Sequence, residues 1–151
     1  MWNKDKSIML TSCIIKAVYV AVAVCCVTAP LMVRYYDDTV VLAHGDPSVF
    51  LPLLITLYCV VPPAVAALIL LDMLLGNIKK GEPFTQKNVN LLRALSYCCF
   101  AVSVVFIYFS FLKPFAFVIV FAAAFMGLIL RVIKNCFEQA VALREENDFT
   151  I

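Results

Sequence analysis

The chain has 151 residues, of which 64% are hydrophobic and 15% charged, with a formal net charge of +2. A water-soluble domain is about half apolar and about a quarter charged, because it must coat its surface with polar groups. This composition excludes that class, and the small net charge excludes nucleic-acid binding by bulk positive charge. The apolar excess must face lipid or a very large partner, and the length suits one membrane domain, 1–151.

The first apolar run opens at Ile8 and reaches Val33, interrupted once by Lys16. It follows a basic start, Met1-Trp2-Asn3-Lys4-Asp5-Lys6, so a cleaved signal peptide is the competing reading. The run is long for a signal core, and the small residue nearest a cleavage position, Ala29, is followed by Pro30. An uncleaved span over 8–33 is therefore expected. The second span covers 49–75, with Asp72 near its end and Pro62-Pro63 in its middle. Those prolines remove two backbone donors and leave carbonyls near Tyr58 and Cys59 without helical partners, which predicts a kink. A kink can line a cavity, although prolines are common in spanning helices. The third and fourth spans cover 91–112 and 114–131. Their apolar runs, from Ala94 and from Pro114, are about 28 Å and about 25 Å long against a hydrocarbon core of about 30 Å. Lys113 and Arg131 flank the shorter one and can snorkel. Lys113-Pro114 leaves almost no loop, so the last two spans form a tight antiparallel hairpin.

Orientation follows from the basic residues. With the N-terminus inside, the inner side holds Lys4, Lys6, Lys16, Lys79, Lys80, Lys87, Arg93, Arg131, Lys134 and Arg144, and the outer side only Arg34 and Lys113. That bias places both termini in the cytoplasm. The outer loop, Arg34 to Ser48, instead collects Asp37, Asp38 and Asp46.

Two cytoplasmic stretches carry pattern. In the inner loop, Gly81 is a helix stop reinforced by Pro83, and Thr85 is an N-cap with Asn88 three residues on. Beyond Arg131, Ile133, Phe137, Ala140 and Val141 recur at helical spacing opposite Lys134, Glu138 and Glu145. The fourth helix is thus expected to continue into the cytoplasm as a tail over 132–151. Its apolar stripe needs a cover: the inner loop, the headgroup layer, a second copy or another protein. The end, Glu145-Glu146-Asn147-Asp148-Phe149-Thr150-Ile151, turns acidic and then extended, either to add to a partner's edge or to fray. The partner-binding residues expected on these stretches are Phe84, Ile133, Phe137, Val141, Glu145, Glu146, Asn147, Asp148 and Phe149.

Lys16 and Asp72 interrupt their spans at similar depth, so they either pair as ions or snorkel separately. No carboxylate falls at a span centre, which argues against proton-coupled transport. His44 is the single histidine, and no nucleophile–base arrangement, phosphate loop or metal-ligand spacing is present, so no enzyme activity, metal or cofactor is expected. Seven cysteines, six of them inside apolar runs and none in a C-x-x-C, are read as small apolar fillers; a redox role for Cys25-Cys26 or Cys98-Cys99 is the alternative.

Two stretches carry a resemblance: Lys80-Gly81-Glu82-Pro83-Phe84-Thr85 with Asn88 and Leu92-Arg93, and Ile133-Lys134-Asn135-Cys136-Phe137-Glu138-Gln139-Ala140 followed by Leu143-Arg144 and the Glu145–Ile151 ending. Together with four spans they resemble the small bacterial membrane proteins of domain of unknown function 2975, over essentially the whole chain. The family form commonly has leucine where Phe149 stands and often valine where Ile151 stands. Members are often encoded beside a short helix-turn-helix regulator, so the resemblance implies a plasma-membrane partner of a small transcription factor, without direct nucleic-acid contact. No family binding residues are carried over. The alternatives are a small oligomeric transporter or export accessory, motivated by Pro62-Pro63 and the Lys16–Asp72 pair, and an immunity protein, motivated only by size and topology.

Overall fold

The computed structural model describes residues 4–44 and 48–148. They form four long helices: α1 Lys4–His44, α2 Phe50–Lys79, α3 Gln86–Ser110 and α4 Phe117–Asp148, the last preceded by a 3₁₀ turn at Pro114–Ala116. All four are long and apolar enough to cross a membrane, and no strand occurs among the described residues. Val27, Leu42, Phe111 and Phe115 stand almost fully outward. Water would not tolerate such a surface and lipid would, so the chain is an all-α, multi-pass membrane protein.

The helices lie in a row. α1 packs on α2, α2 on α3 and α3 on α4, while the backbones of α1 and α4 do not approach each other. α3 is the most enclosed helix, with Val89, Leu91, Leu92, Leu95, Ser96 and Ser103 buried. The main apolar cluster joins Leu74 of α2 to Leu91 and Leu92 of α3, with Leu130 and Phe137 of α4 packed against it. The α3–α4 contact is close because Gly127 faces the Phe100 ring; a β-carbon there would sit 3.0 Å from it. The Ser103 hydroxyl donates across the same interface to the Val120 carbonyl at 3.1 Å.

Element ends follow local chemistry. The hairpin is as expected: Lys113 is extended (φ −134°, ψ 102°), as the following proline requires, and Pro114 opens the 3₁₀ turn. The fourth span and its tail are one helix. The α1–α2 connection differs. The expected loop from Arg34 is helical as far as His44, because nothing between Pro30 and Gly45 breaks a helix. α1 is therefore about 60 Å long, twice the hydrocarbon thickness. Asp37 is not a solvated loop acid. It is buried, its Oδ1 accepting from the Val49 backbone N–H at 2.7 Å and its Oδ2 from the Ser48 hydroxyl at 2.6 Å. Val49 occupies the N-cap of α2 and has no side chain that can cap. A carboxylate from the neighbouring helix does it instead, at the positive end of the α2 dipole. Asp46 lies outside the described residues.

Prolines sit inside two helices, and each removes a backbone donor. Pro30 leaves the Cys26 carbonyl, one turn earlier, without its helical partner. The Tyr58 hydroxyl of α2 donates to that carbonyl at 3.1 Å. α2 stays helical through Pro62 and Pro63. We predict that Tyr58→Phe destabilises the folded protein in detergent by about 0.5–1.5 kcal/mol, the net worth of one hydrogen bond. Combined with Pro30→Ala, which restores the missing N–H, the same change should cost much less. Equal losses in both backgrounds, measured as thermal midpoints, would show that the hydroxyl does not serve that carbonyl.

Candidate functional site

Two polar assemblies stand at one end of the helix row, where α1 and α3 begin and α2 and α4 end.

The first is a collar built on Asn88. The end of α2 is a Schellman closure: Gly81, at φ +83°, donates to the Ile78 carbonyl at 3.1 Å, and Glu82 donates to the Asn77 carbonyl at 3.2 Å. Only glycine takes that backbone angle without strain, which is why the stop falls there. Thr85 then caps α3, its hydroxyl oxygen accepting from the Asn88 N–H at 3.4 Å. The Asn88 side chain is fully buried. Its amide nitrogen donates to the carbonyls of Glu82 and Pro83 at 2.9 and 2.8 Å, and its oxygen accepts from the Asn77 amide at 2.6 Å. One side chain thus clasps the loop to both helices it connects. Charged side chains tie α4 to α3 at this end: Arg93 approaches Glu138 at 3.6 Å, and the Arg131 guanidinium lies 5.5 Å from the centre of the Tyr97 ring, while Lys134 pairs with Glu138 along α4 itself at 2.6 Å. The hydrogen bond from Lys134 holds the Glu138 carboxyl below its ordinary pKa, with the positive charges of Lys134 and Arg93 acting in the same direction.

The residues expected to bind a partner divide here. Phe84 of the loop meets Phe137 of α4 with ring centres 5.3 Å apart, and Val141 is buried. Of the four covers left open for the tail's apolar stripe, the connecting loop meets Phe137 through Phe84, and Phe137 also packs on the Leu74–Leu91–Leu92 cluster. Ile133 remains outward-facing, as do Glu146 and Asn147. Glu145 and Asp148 lie on α4, with side chains outside the described set; Phe149, Thr150 and Ile151 lie outside the described residues.

The second assembly is a cleft of about 620 Å³ between α1 and α2. Lys16 and Ser12 line it from α1, and Asp72, Gly76 and Lys79 from α2. Lys16 and Asp72 thus face one space, as their depths imply, but their charged ends do not meet in an ion pair among the described residues. Lys79, which sequence reasoning assigned only to the basic inner side, completes the charge set.

The seven cysteines are free thiols, and among the described residues no three His, Cys, Asp or Glu side chains converge as a metal site. Sequence reasoning missed the Asn88 clasp, the Asp37 cap and the Tyr58–Cys26 contact. Only the last had a local signal, since a mid-helix proline announces an unpaired carbonyl four residues earlier.

A family profile described as a protein of unknown function, DUF2975, matches residues 36–151, and the chain belongs to that family. The matched stretch contains Asp37, all of α2, α3 and α4, and the Asn88 collar. No curated protein and no solved structure matches the chain.

Replacing Asn88 tests the clasp. Asn88→Ala leaves the Asn77 amide and two loop carbonyls without that partner and should cost about 1–3 kcal/mol. Asn88→Asp keeps the shape but sets a buried carboxylate against two carbonyl oxygens, and should cost more, about 3–5 kcal/mol. Denaturation in detergent and proteolysis of the 80–88 loop read both. An aspartate variant as stable as wild type would remove Asn88 as the organising residue.

Proposed function

We propose that this protein is a non-enzymatic regulatory element of the bacterial plasma membrane, holding a small helix-turn-helix transcription factor at its cytoplasmic face. The observation that carries the reading is the collar end of α4. Taking a span of about 20 residues from Phe117, the helix runs about 18 Å beyond the hydrocarbon and ends in exposed side chains, including the apolar Leu143, over a loop held rigid by Asn88. A helix extended this far and braced by its own loop offers a soluble protein a preformed surface. That surface carries both signs, exposed Lys80, Lys87, Arg93 and Arg144 beside exposed Glu82 and Glu146, so a regulator face of complementary mixed charge is the matching chemistry. The family resemblance, whose members are often encoded beside such regulators, supplies the partner class.

The cytoplasmic placement rests on charge. Lys79, Lys80, Lys87, Arg93, Arg131, Lys134 and Arg144 gather at the collar end of the row, against Arg34 and Lys113 toward the other. Reporter fusions at the C-terminus and after Leu112 are expected to report inside and outside respectively; the reverse pattern rejects the orientation.

The partner is tested by photo-crosslinking in the native host, with benzoylphenylalanine in place of Leu143. The expected main adduct is a helix-turn-helix protein, lost when Arg144 and Lys87 are changed to glutamate. Adducts confined to lipid or to other membrane proteins refute the regulatory reading.

A further inference from the structure

The cleft between α1 and α2 belongs to neither the collar nor its proposed partner, and its lining has a chemistry of its own. Met9, Ser12 and Lys16 recur on one face of α1, and Asp72, Leu75 and Lys79 on the opposing face of α2, each at helical spacing. Lys79 is the last residue of α2, and Asp72 lies about 10 Å deeper along the helix. The cleft therefore spans the height at which headgroups give way to acyl chains. Among the described residues α1 packs on α2 alone, which leaves the flank of the cleft uncovered. Two ammonium groups and one carboxylate line it, none in an ion pair among the described residues. Charges at this depth are costly without a partner, and those of the described lining residues sum to one positive charge. The gap is open at Gly76, where a β-carbon would meet no heavy atom within 4 Å.

We propose that this cleft binds the headgroup of an anionic phospholipid. One phosphate between Lys16 and Lys79 neutralises the net charge. Asp72 and Ser12 take hydrogen bonds from the hydroxyls of a glycerol headgroup, Met9 and Leu75 pack beside that headgroup, and the chains leave through the open flank. Basic pockets between spanning helices on the cytoplasmic side are where anionic headgroups settle. A choline headgroup has neither the net charge nor a donor for Asp72 and is the discriminating comparison. The shared chemistry is an anionic phosphate bearing hydroxyl donors, which a soluble glycerol phosphate also presents. The sideways opening, through which acyl chains can leave, favours the lipid. The inference is independent of the regulatory reading, since it invokes neither Leu143 nor the collar.

The test uses the full chain in nanodiscs of phosphatidylcholine alone, or of phosphatidylcholine and phosphatidylglycerol in equal parts, with native mass spectrometry of lipid retained after extraction. Wild type should melt higher in the mixed discs and retain phosphatidylglycerol over phosphatidylcholine. The Lys16→Gln, Lys79→Gln double variant should lose about tenfold in retention, corresponding to about 1.4 kcal/mol. Gly76→Leu fills the cleft where nothing opposes a side chain, and should lose retention while keeping wild-type helix content. Retention unchanged in Gly76→Leu, or equal for the two lipids, overturns the proposal. If glycerol phosphate added to choline-only discs reproduces the stabilisation, the site takes a soluble phosphate and the lipid assignment falls.

Discussion

Backbone polar groups inside hydrocarbon have no water to turn to, and each must find its partner within the protein. Four continuous helices meet most of that demand. The exceptions are where the structure becomes specific. Pro30 withholds a donor in α1, and the Tyr58 hydroxyl answers from α2. α2 begins at a valine that cannot cap, and Asp37 answers from α1. The α2–α3 connection turns within a few residues, and Asn88 answers from α3. In the first two cases the defect and its remedy lie on different helices, so satisfying the backbone also sets how the helices stand against each other.

That dependence explains the uneven packing. Lipid is as apolar as the side chains, so helices gain little from the hydrophobic effect when they associate; close approach and hydrogen bonds must do it. α3 and α4 have both, in Gly127 against Phe100 and in Ser103 bonded to Val120. α1 and α2 are joined by Tyr58 in mid-span and by Asp37 at one end. At the other end of that pair the helices leave open space beside Gly76, and there the cleft forms.

The two polar assemblies at the collar end differ in kind. Around Asn88 the hydrogen bonds are internal and the group is closed, which suits a rigid support. Around Lys16, Asp72 and Lys79 charge is presented to an open space, which suits a ligand. The basic side chains of this end serve both: Arg93 braces α4 through Glu138, and others face the cleft or the exterior.

Much was legible in the residues alone, for a physical reason: lipid as solvent demands long apolar stretches, and these are local in sequence. The four spans, the Lys113-Pro114 hairpin, the Gly81 stop, the Thr85 cap and the unbroken fourth helix each depend on residues within a turn or two of one another. The length of α1 beyond Arg34 was hidden because Asp37 and Asp38 look like loop acids until it is seen that one of them caps a different helix. Asn88 looked like a neighbour of a cap, because whether an amide is buried depends on what closes over it. The docking of Phe137 on Phe84, and the meeting of Lys16, Asp72 and Lys79 around one cleft, join residues dozens of positions apart. The chain by itself determined the solvent, the number of spans and where most of them stop; the tertiary packing alone decided which polar groups face each other, because those distances depend on how separate helices lie and not on any one helix's own period.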